Sequence, residues 1–315
     1  VNTAQKAGKR AIWLANGLVD VTVVVIVLVL LAFGGYAFWD SRQVVMAADA
    51  SRYQVYKPTG EGSQLSFAEL QAINPDVFAW LTVYGTHIDY PVVQGPNNTK
   101  YVSTNAEGRY SLSGAIFLDA YQKRDFTSFP SILYGHHMEQ AAMLGEEGLF
   151  ADKAYFEARR YGMLYFDGKE HGLEFFAFVH ADAYDRKVFR TSISRSEDRE
   201  AFLTMINDIA THTRDVDVGP DDRVVLLSTC SDGTTNGRDI LAARISDEVF
   251  ADPFATGPGD DQAEAGLSSW WSNMPLWARA GLIAAAILAA LILLLTLRQA
   301  KNRRQQRRAN SEVES

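Results

Sequence analysis

Cys230 is the single cysteine of the chain, and it ends an apolar run, Val224-Val225-Leu226-Leu227-Ser228-Thr229. Turn formers dominate the stretch from Ser231 to Gly237, and Arg238 opens the next strand-like run. A hairpin with this layout returns the guanidinium to the side of the thiol. A cation there favours the thiolate or donates hydrogen bonds to a developing oxyanion. A lone cysteine at a strand end is also commonly a small buried hydrophobe, so this pair alone leaves both readings open. The second chemical feature is Ile132-Leu133-Tyr134-Gly135-His136-His137-Met138. A histidine after glycine at a strand end can act as general acid toward a leaving amine and as base toward an incoming one. Successive strand residues face opposite ways, so His136 and His137 do not share one job or one metal. A metal site is not expected, because HExxH spacing and a second thiol are both missing. His87, His171, His180 and His212 sit in ordinary turn, strand or helix-end settings and read as structural or solvated; Asp232 reads as a turn residue.

Strands must carry these groups. Apolar and β-branched runs separated by turn residues predict eight of them: Val77–Tyr84, Ile88–Val93, Gly114–Leu118, Ser131–Tyr134, Tyr161–Phe166, Leu173–His180, Arg223–Thr229 and Ile240–Ile245. Asp167-Gly168 between the fifth and sixth is a hairpin signal. Ser66-Phe67-Ala68-Glu69 has a capping-box pattern and opens a short helix through Ile73. Ser196 caps a longer helix whose Phe202, Met205, Ile206 and Ile209 repeat at 3.6-residue spacing and pack on the sheet. Eight strands with attached helices predict a mostly β fold, a closed or nearly closed barrel. The sequence contains no internal repeat.

The whole chain has 315 residues, 47% of them apolar and 22% charged, with 23 Gly and 9 Pro. That range excludes disordered, collagen-like and low-complexity classes. The formal net charge is −8, and no basic stripe with interleaved aromatics occurs, so no nucleic-acid partner is expected. Both ends are apolar. Val21 to Trp39 contains no charge and follows Lys6, Lys9 and Arg10; Ala280 to Leu297 contains none and precedes Arg298, Lys301, Arg303, Arg304, Arg307 and Arg308. Each is long enough to cross a bilayer, and the basic flanks place both termini in the cytoplasm. Trp270, Trp271 and Trp277 suit the interface before the second span. A cleavable leader would need a shorter apolar region, so the first run reads as an uncleaved anchor. The expected organisation is a cytoplasmic N-terminus (1–17), a transmembrane helix (18–39), an extracellular stalk (40–62) and a folded exterior domain (63–250). An extracellular linker (251–276), a second transmembrane helix (277–297) and a basic cytoplasmic tail (298–315) follow. Residues 40–279 carry 35 acidic and 21 basic side chains, which reads as a solvated acidic exterior.

Taken in order, the motifs resemble those of a class B sortase. They are Ile73-Asn74-Pro75-Asp76-Val77 with Trp80-Leu81, Thr86 through Ile88-Asp89-Tyr90-Pro91-Val92-Val93-Gln94, Asn98 with Tyr101-Val102, and Gly114-Ala115-Ile116-Phe117-Leu118-Asp119. Tyr134 to Met138 and Leu227-Ser228-Thr229-Cys230 with Asn236-Gly237-Arg238 complete the set, which spans about Phe67 to Ile245.

The resemblance implies an eight-stranded sortase β-barrel flanked by two transmembrane helices, and a cell-surface cysteine transpeptidase without a cofactor. It casts Cys230 as nucleophile, His136 as general acid/base and Arg238 as the oxyanion-stabilising and substrate-orienting group. Asn98, Val102, Tyr134 and Ser228 fall where the family lines its sorting-signal groove, with Val102 in place of the commoner Leu, and Thr229 is expected to line the site beside them. The loop after Asp182, with Val188 and Phe189, is expected to form one groove wall. Implied partners are the membrane lipid, surface or pilin proteins bearing an Asn-Pro-X-Thr type of signal, and a peptidoglycan-precursor or pilin Lys amine as acceptor. Two departures stand out. A C-terminal span is commoner in pilus-building class C enzymes, yet the class C lid before the barrel is absent; Asp252-Pro253-Phe254 follows the barrel and reads as linker. Besides wall anchoring, the sequence admits a class B pilus polymerase or a catalytically silent tethered binding module.

Overall fold

A computed structural model of the protein describes residues 3–58, 64–138, 142–230, 236–255 and 281. The first helix, α1 (Thr3–Ala47), contains a stretch, Ala11–Ala37, long and apolar enough to cross a membrane. Ser41–Thr256 forms one compact unit, and the helix up to Asp40 belongs to a separate one. The expected second span and basic tail lie outside the described residues, Gly281 excepted.

Within the compact unit, α2 (Gln64–Ile73) leads into β1 (Val77–Val83), β2 (Asp89–Val93), β3 (Ile116–Leu118) and β4 (Ser131–Tyr134). A short α3 (Lys153–Ala158) precedes the hairpin of β5 (Tyr161–Phe166) and β6 (Lys169–Asp182). Then come α4 (Ser196–Ile209), β7 (Ala210–Thr213), β8 (Arg223–Cys230) and β9 (Gly237–Ser246). The strands pair in the order β5-β1-β2-β3-β4-β8-β9-β6, and β6 returns to β5, which closes an eight-stranded barrel. All eight predicted strands take part. The ninth, β7, pairs outside β6 and escapes the sequence reading, because Ala210-Thr211-His212-Thr213 lacks a run of apolar or aromatic residues.

Strand alternation divides the core. Val225 and Leu227 of β8 join the large barrel interior with Leu81, Leu133 and Phe175, whereas Val224 and Leu226 join a second cluster with Phe129, Ile132, Ile240 and Ala242. The second cluster is covered by Phe202, Leu203 and Ile206 of α4. Leu203 therefore belongs to the packed stripe, and Ile209 is exposed. Helix starts also differ from expectation. Ser196 is the first helical residue, with Arg195 in the cap position and its guanidinium on Asp198 at 2.9 Å. Likewise the described part of α2 already includes Gln64, so Ser66 lies inside the helix and not at its cap.

The expected stalk is partly a strap. Ala48 and Tyr53, the latter in a 3₁₀ helix over Ala50–Tyr56, are buried against the barrel, and the Tyr90 hydroxyl donates to the Ala48 carbonyl at 2.8 Å. Asp89 fastens the strap. One carboxylate oxygen accepts from Trp80 Nε1 and Thr82 Oγ1, the other from Gln54 Nε2 and Lys57 Nζ, all within 2.8 Å. Burial alone would raise its pKa, but the Lys57, Trp80 and Gln54 contacts outweigh burial and hold it below the ordinary range. The stability this contributes is present above the unfolded pKa of about 4 and is lost as pH falls through the lower folded value. Asp89→Asn should therefore lower stability at pH 7 by about 1–3 kcal/mol, since it leaves buried donors poorly matched. Unfolding curves of both proteins should converge below about pH 4; a gap that stays constant down to pH 3 contradicts the account. At the other end, Phe250 stacks on Tyr161 at 4.3 Å and Phe254 lies against Gly85 and Arg159. The first residues of the expected linker thus pack on the domain.

Candidate active site

Two parallel neighbours, β4 and β8, bring the chemistry together. Tyr134 pairs with Ser228 at the end of β4, and the next antiparallel pairing sets Thr229 against Asp239 and Cys230 against Arg238. The hairpin expected from the turn-forming run therefore places the nucleophile candidate and the guanidinium residue directly across from each other. Beside them opens a cavity of about 390 Å³ lined by Asn98, Val102, Phe117, Tyr134, Gly135, His136, Ser228, Thr229 and Arg238. Seven of the eight residues selected from the sequence line it, and Cys230 follows Thr229 on the same strand. A larger cavity of about 590 Å³, walled by Phe67, Phe78, Arg124, Asp125 and Tyr165, contains no candidate nucleophile.

His136 lies just beyond the end of β4, and its Nε2 is 2.7 Å from the Val102 carbonyl oxygen. His137 is not part of the cavity lining and forms a β-bridge with Met143. The other four histidines hold structural contacts: His87 on Glu146, His171 stacked on Phe166, His180 on Asp239 and His212 on the Ala151 carbonyl. Arg238 Nη1 donates to the Gly237 carbonyl at 3.0 Å. Among the described residues no group of three or more His, Cys, Asp or Glu could hold a metal ion.

The polar lining is partly preset and partly vacant. Asn98 Nδ2 donates to Asp119 Oδ2 at 2.7 Å, and Asn98 Oδ1 accepts from the Ala120 amide at 2.7 Å, which fixes the amide orientation. Burial, and then the Asp119 charge, raise the Tyr134 pKa, so the phenol keeps its proton and remains a donor. Its ring sits 5.5 Å from that of Phe117. Ser228 Oγ and Thr229 Oγ1 are buried and make no hydrogen bond among the described residues. Buried hydroxyls without partners are costly in the free protein and suit a site completed by a polar ligand.

The sequence reading misses Asp119. It is 2% exposed and accepts from both Asn98 and the Tyr121 amide, so it anchors the Asn98 side chain from outside the lining. A single Asp after an apolar run carries no local signal of that role. The expected groove wall around Val188 and Phe189 is corrected: Val188 is fully buried in the cluster under α4, Phe189 packs against it, and neither lines the cavity.

No family model matches the chain. Among curated proteins, sortase B of Listeria monocytogenes is 30% identical over 191 residues, which covers 61% of this chain and 76% of that protein. Sortase B from the type II pilus of Streptococcus pneumoniae superimposes with a TM-score of 0.51 at 41% identity, over 58% of this chain and 99% of that one. A Streptococcus pyogenes class B sortase involved in pilus biogenesis gives a TM-score of 0.54 at 39% identity, over 59% of this chain and all of that one. Barrel, cavity and relatives agree, and the chain belongs to the class B sortases, a family of cysteine transpeptidases.

Proposed function

We propose that this protein is a membrane-anchored sortase that cleaves an Asn-Pro-X-Thr type of sorting signal after Thr and transfers the new carboxyl terminus to a cell-wall amine. The observation that carries the proposal is the strand pairing of Cys230 with Arg238, which lines one cavity together with His136. In the first half-reaction the Cys230 sulfur bonds to the Thr carbonyl carbon, the adjoining C–N bond breaks, and His136 passes the thiol proton to the departing amine. The second half-reaction reverses the roles. An incoming amine gives a proton to His136 and bonds to the carbonyl carbon, the C–S bond breaks, and the thiol is restored. Arg238 donates hydrogen bonds to the oxyanion in both, and one such donor is commonly worth about 10²–10³ in rate. Asn98, Val102, Tyr134, Ser228 and Thr229 hold the signal.

The vacant Ser228 and Thr229 hydroxyls and the fixed Asn98 amide support a polar first signal residue. A site built around polar groups rejects an apolar analogue strongly, because its own groups are then left unpaired. An Asn-Pro-X-Thr peptide should exceed a Leu-Pro-X-Thr peptide in kcat/KM by about 10²-fold or more. Equal rates or a Leu preference would remove the signal assignment and leave the transpeptidase untouched.

A second reading, polymerisation of pilins through a Lys amine, draws support from two pilus-associated enzymes that are 41% and 39% identical to this chain. Competition between a peptidoglycan-type amine and a pilin Lys peptide for the acyl-enzyme separates the two. The residues also favour a two-pass topology, with spans at 18–39 and 277–297, the domain outside and both termini in the cytoplasm. Protease added to intact protoplasts should digest the middle domain and spare a tag after Ser315; digestion of that tag contradicts the topology.

A further inference from the structure

We infer that the backbone carbonyl of Val102, held in place by Gly114, orients His136, so that the ring keeps a proton on Nε2 and exchanges protons through Nδ1. The inference rests on His136 being the acid/base residue and goes further by naming the working atom and the group behind it.

A carbonyl oxygen only accepts hydrogen bonds, so the 2.7 Å contact between His136 Nε2 and Val102 O requires the hydrogen on Nε2. The local fold explains why this carbonyl is available. Val102 ends a one-turn 3₁₀ helix, Lys100–Val102, and the last carbonyls of a helix have no partner within it. The preceding carbonyl, of Tyr101, is already taken by the Ala115 amide at 3.0 Å. That of Val102 is left for the imidazole.

Gly114 makes the arrangement possible. Its φ is +60°, and a Cβ there would lie 2.5 Å from Tyr101 O and 2.8 Å from Val102 O. Any other residue would push the 3₁₀ turn away from the chain entering β3, and the carbonyl with it. The contact is to backbone, so Val at position 102 serves as well as the Leu commoner in the family. Gly114 is thus a positioning residue, acting on His136 through Val102.

The consequence for the reaction follows the logic of catalytic triads, in which a third group fixes the tautomer and direction of the histidine. Here a carbonyl takes the place of the usual carboxylate. Nδ1 makes no hydrogen bond among the described residues and is the nitrogen open to chemistry. It accepts the thiol proton as the S–C bond forms and gives it to the departing nitrogen as the C–N bond breaks, while the Nε2 hydrogen stays on Val102 O throughout.

The test uses the full chain in detergent micelles, labelled with ¹⁵N-histidine, with Cys230→Ala keeping the ring free of the thiol. Spectra are taken at a pH where the ring is neutral, and His136→Asn identifies the signal. Nε2 is recognised by its coupling to both ring C–H protons. The expected result is a single tautomer with a directly observed, slowly exchanging Nε2–H. In Gly114→Ala, otherwise with the native thiol, kcat should fall by about 10–100-fold, the range for losing a histidine's orienting partner, with a smaller change in KM. The Nε2–H signal should disappear into solvent exchange. A bare Nε2, a mixture of tautomers, or an unchanged Nε2–H signal in folded Gly114→Ala overturns the inference. If Gly114→Ala does not fold, the spectrum of the parent protein decides. Loss of activity in His136→Ala together with a bare Nε2 would sink this inference alone; full activity in His136→Ala would sink the acid/base reading itself.

Discussion

Cys230→Ala abolishes transpeptidation in a protein that still folds. The expected loss is at least about 10⁴ in turnover, comparable to removing the nucleophile from other covalent hydrolases. The argument is one of chemistry and place. The described cavity offers hydroxyls, an amide, an imidazole and a guanidinium, but the single cysteine of the chain ends β8, at the ladder position paired with Arg238. Ser228 and Thr229 cannot substitute, because a hydroxyl is a far weaker nucleophile than a thiolate without a dedicated base. The fold should persist, since the β8–β9 pairing continues from Arg223–Ile245 along the strand and the core residues of β8 lie before Ser228. Peptide cleavage followed by chromatography, with thermal unfolding alongside, checks both halves. Turnover within tenfold of the parent protein, or loss of the folded transition, contradicts them.

The second large effect separates adjacent histidines. His136→Ala should lower kcat by about 10²–10⁴, the usual range for a positioned acid/base group. His137→Ala should cost much less. His136 lines the cavity with Tyr134, Ser228 and Arg238, whereas His137 is paired with Met143 in a bridge outside the lining. Steady-state rates on one signal peptide are enough. The opposite ranking would mean that the chain beyond β4 presents the other imidazole to the substrate.

What the sequence makes legible follows from local physics. Each of the eight barrel strands is an apolar or alternating run bounded by turn residues, so its existence is readable even where its ends shift. The β8–β9 hairpin was legible too, because Ser231 to Gly237 offers the chain little but turns. Helix starts were not: Ser196 looks like a cap, yet Arg195 fills that position and satisfies Asp198 with its side chain. The loop residues Val188 and Phe189 look available among polar neighbours, but the distant packing of α4 on Val224 and Leu226 draws them into the core. Within the site, motifs expose side chains and hide backbone. Asp119 beneath Asn98 and the Val102 carbonyl behind His136 have no sequence signature, because each role depends on a tertiary approach that no spacing encodes. Asp89 is an intermediate case. Its motif is visible, but the four donors that converge on it come from the strap and from β1.

The most direct test of the central claim is the intact mass of the enzyme during reaction with an Asn-Pro-X-Thr peptide and no amine acceptor. Cleavage after Thr with capture on sulfur predicts a mass increase equal to the peptide's acyl portion. Digestion should map the increase to Cys230, and hydroxylamine should remove it, as expected for a thioester. An enzyme that cleaves the peptide without ever carrying this adduct, or that carries it on another residue, would contradict the assignment of Cys230 as the nucleophile.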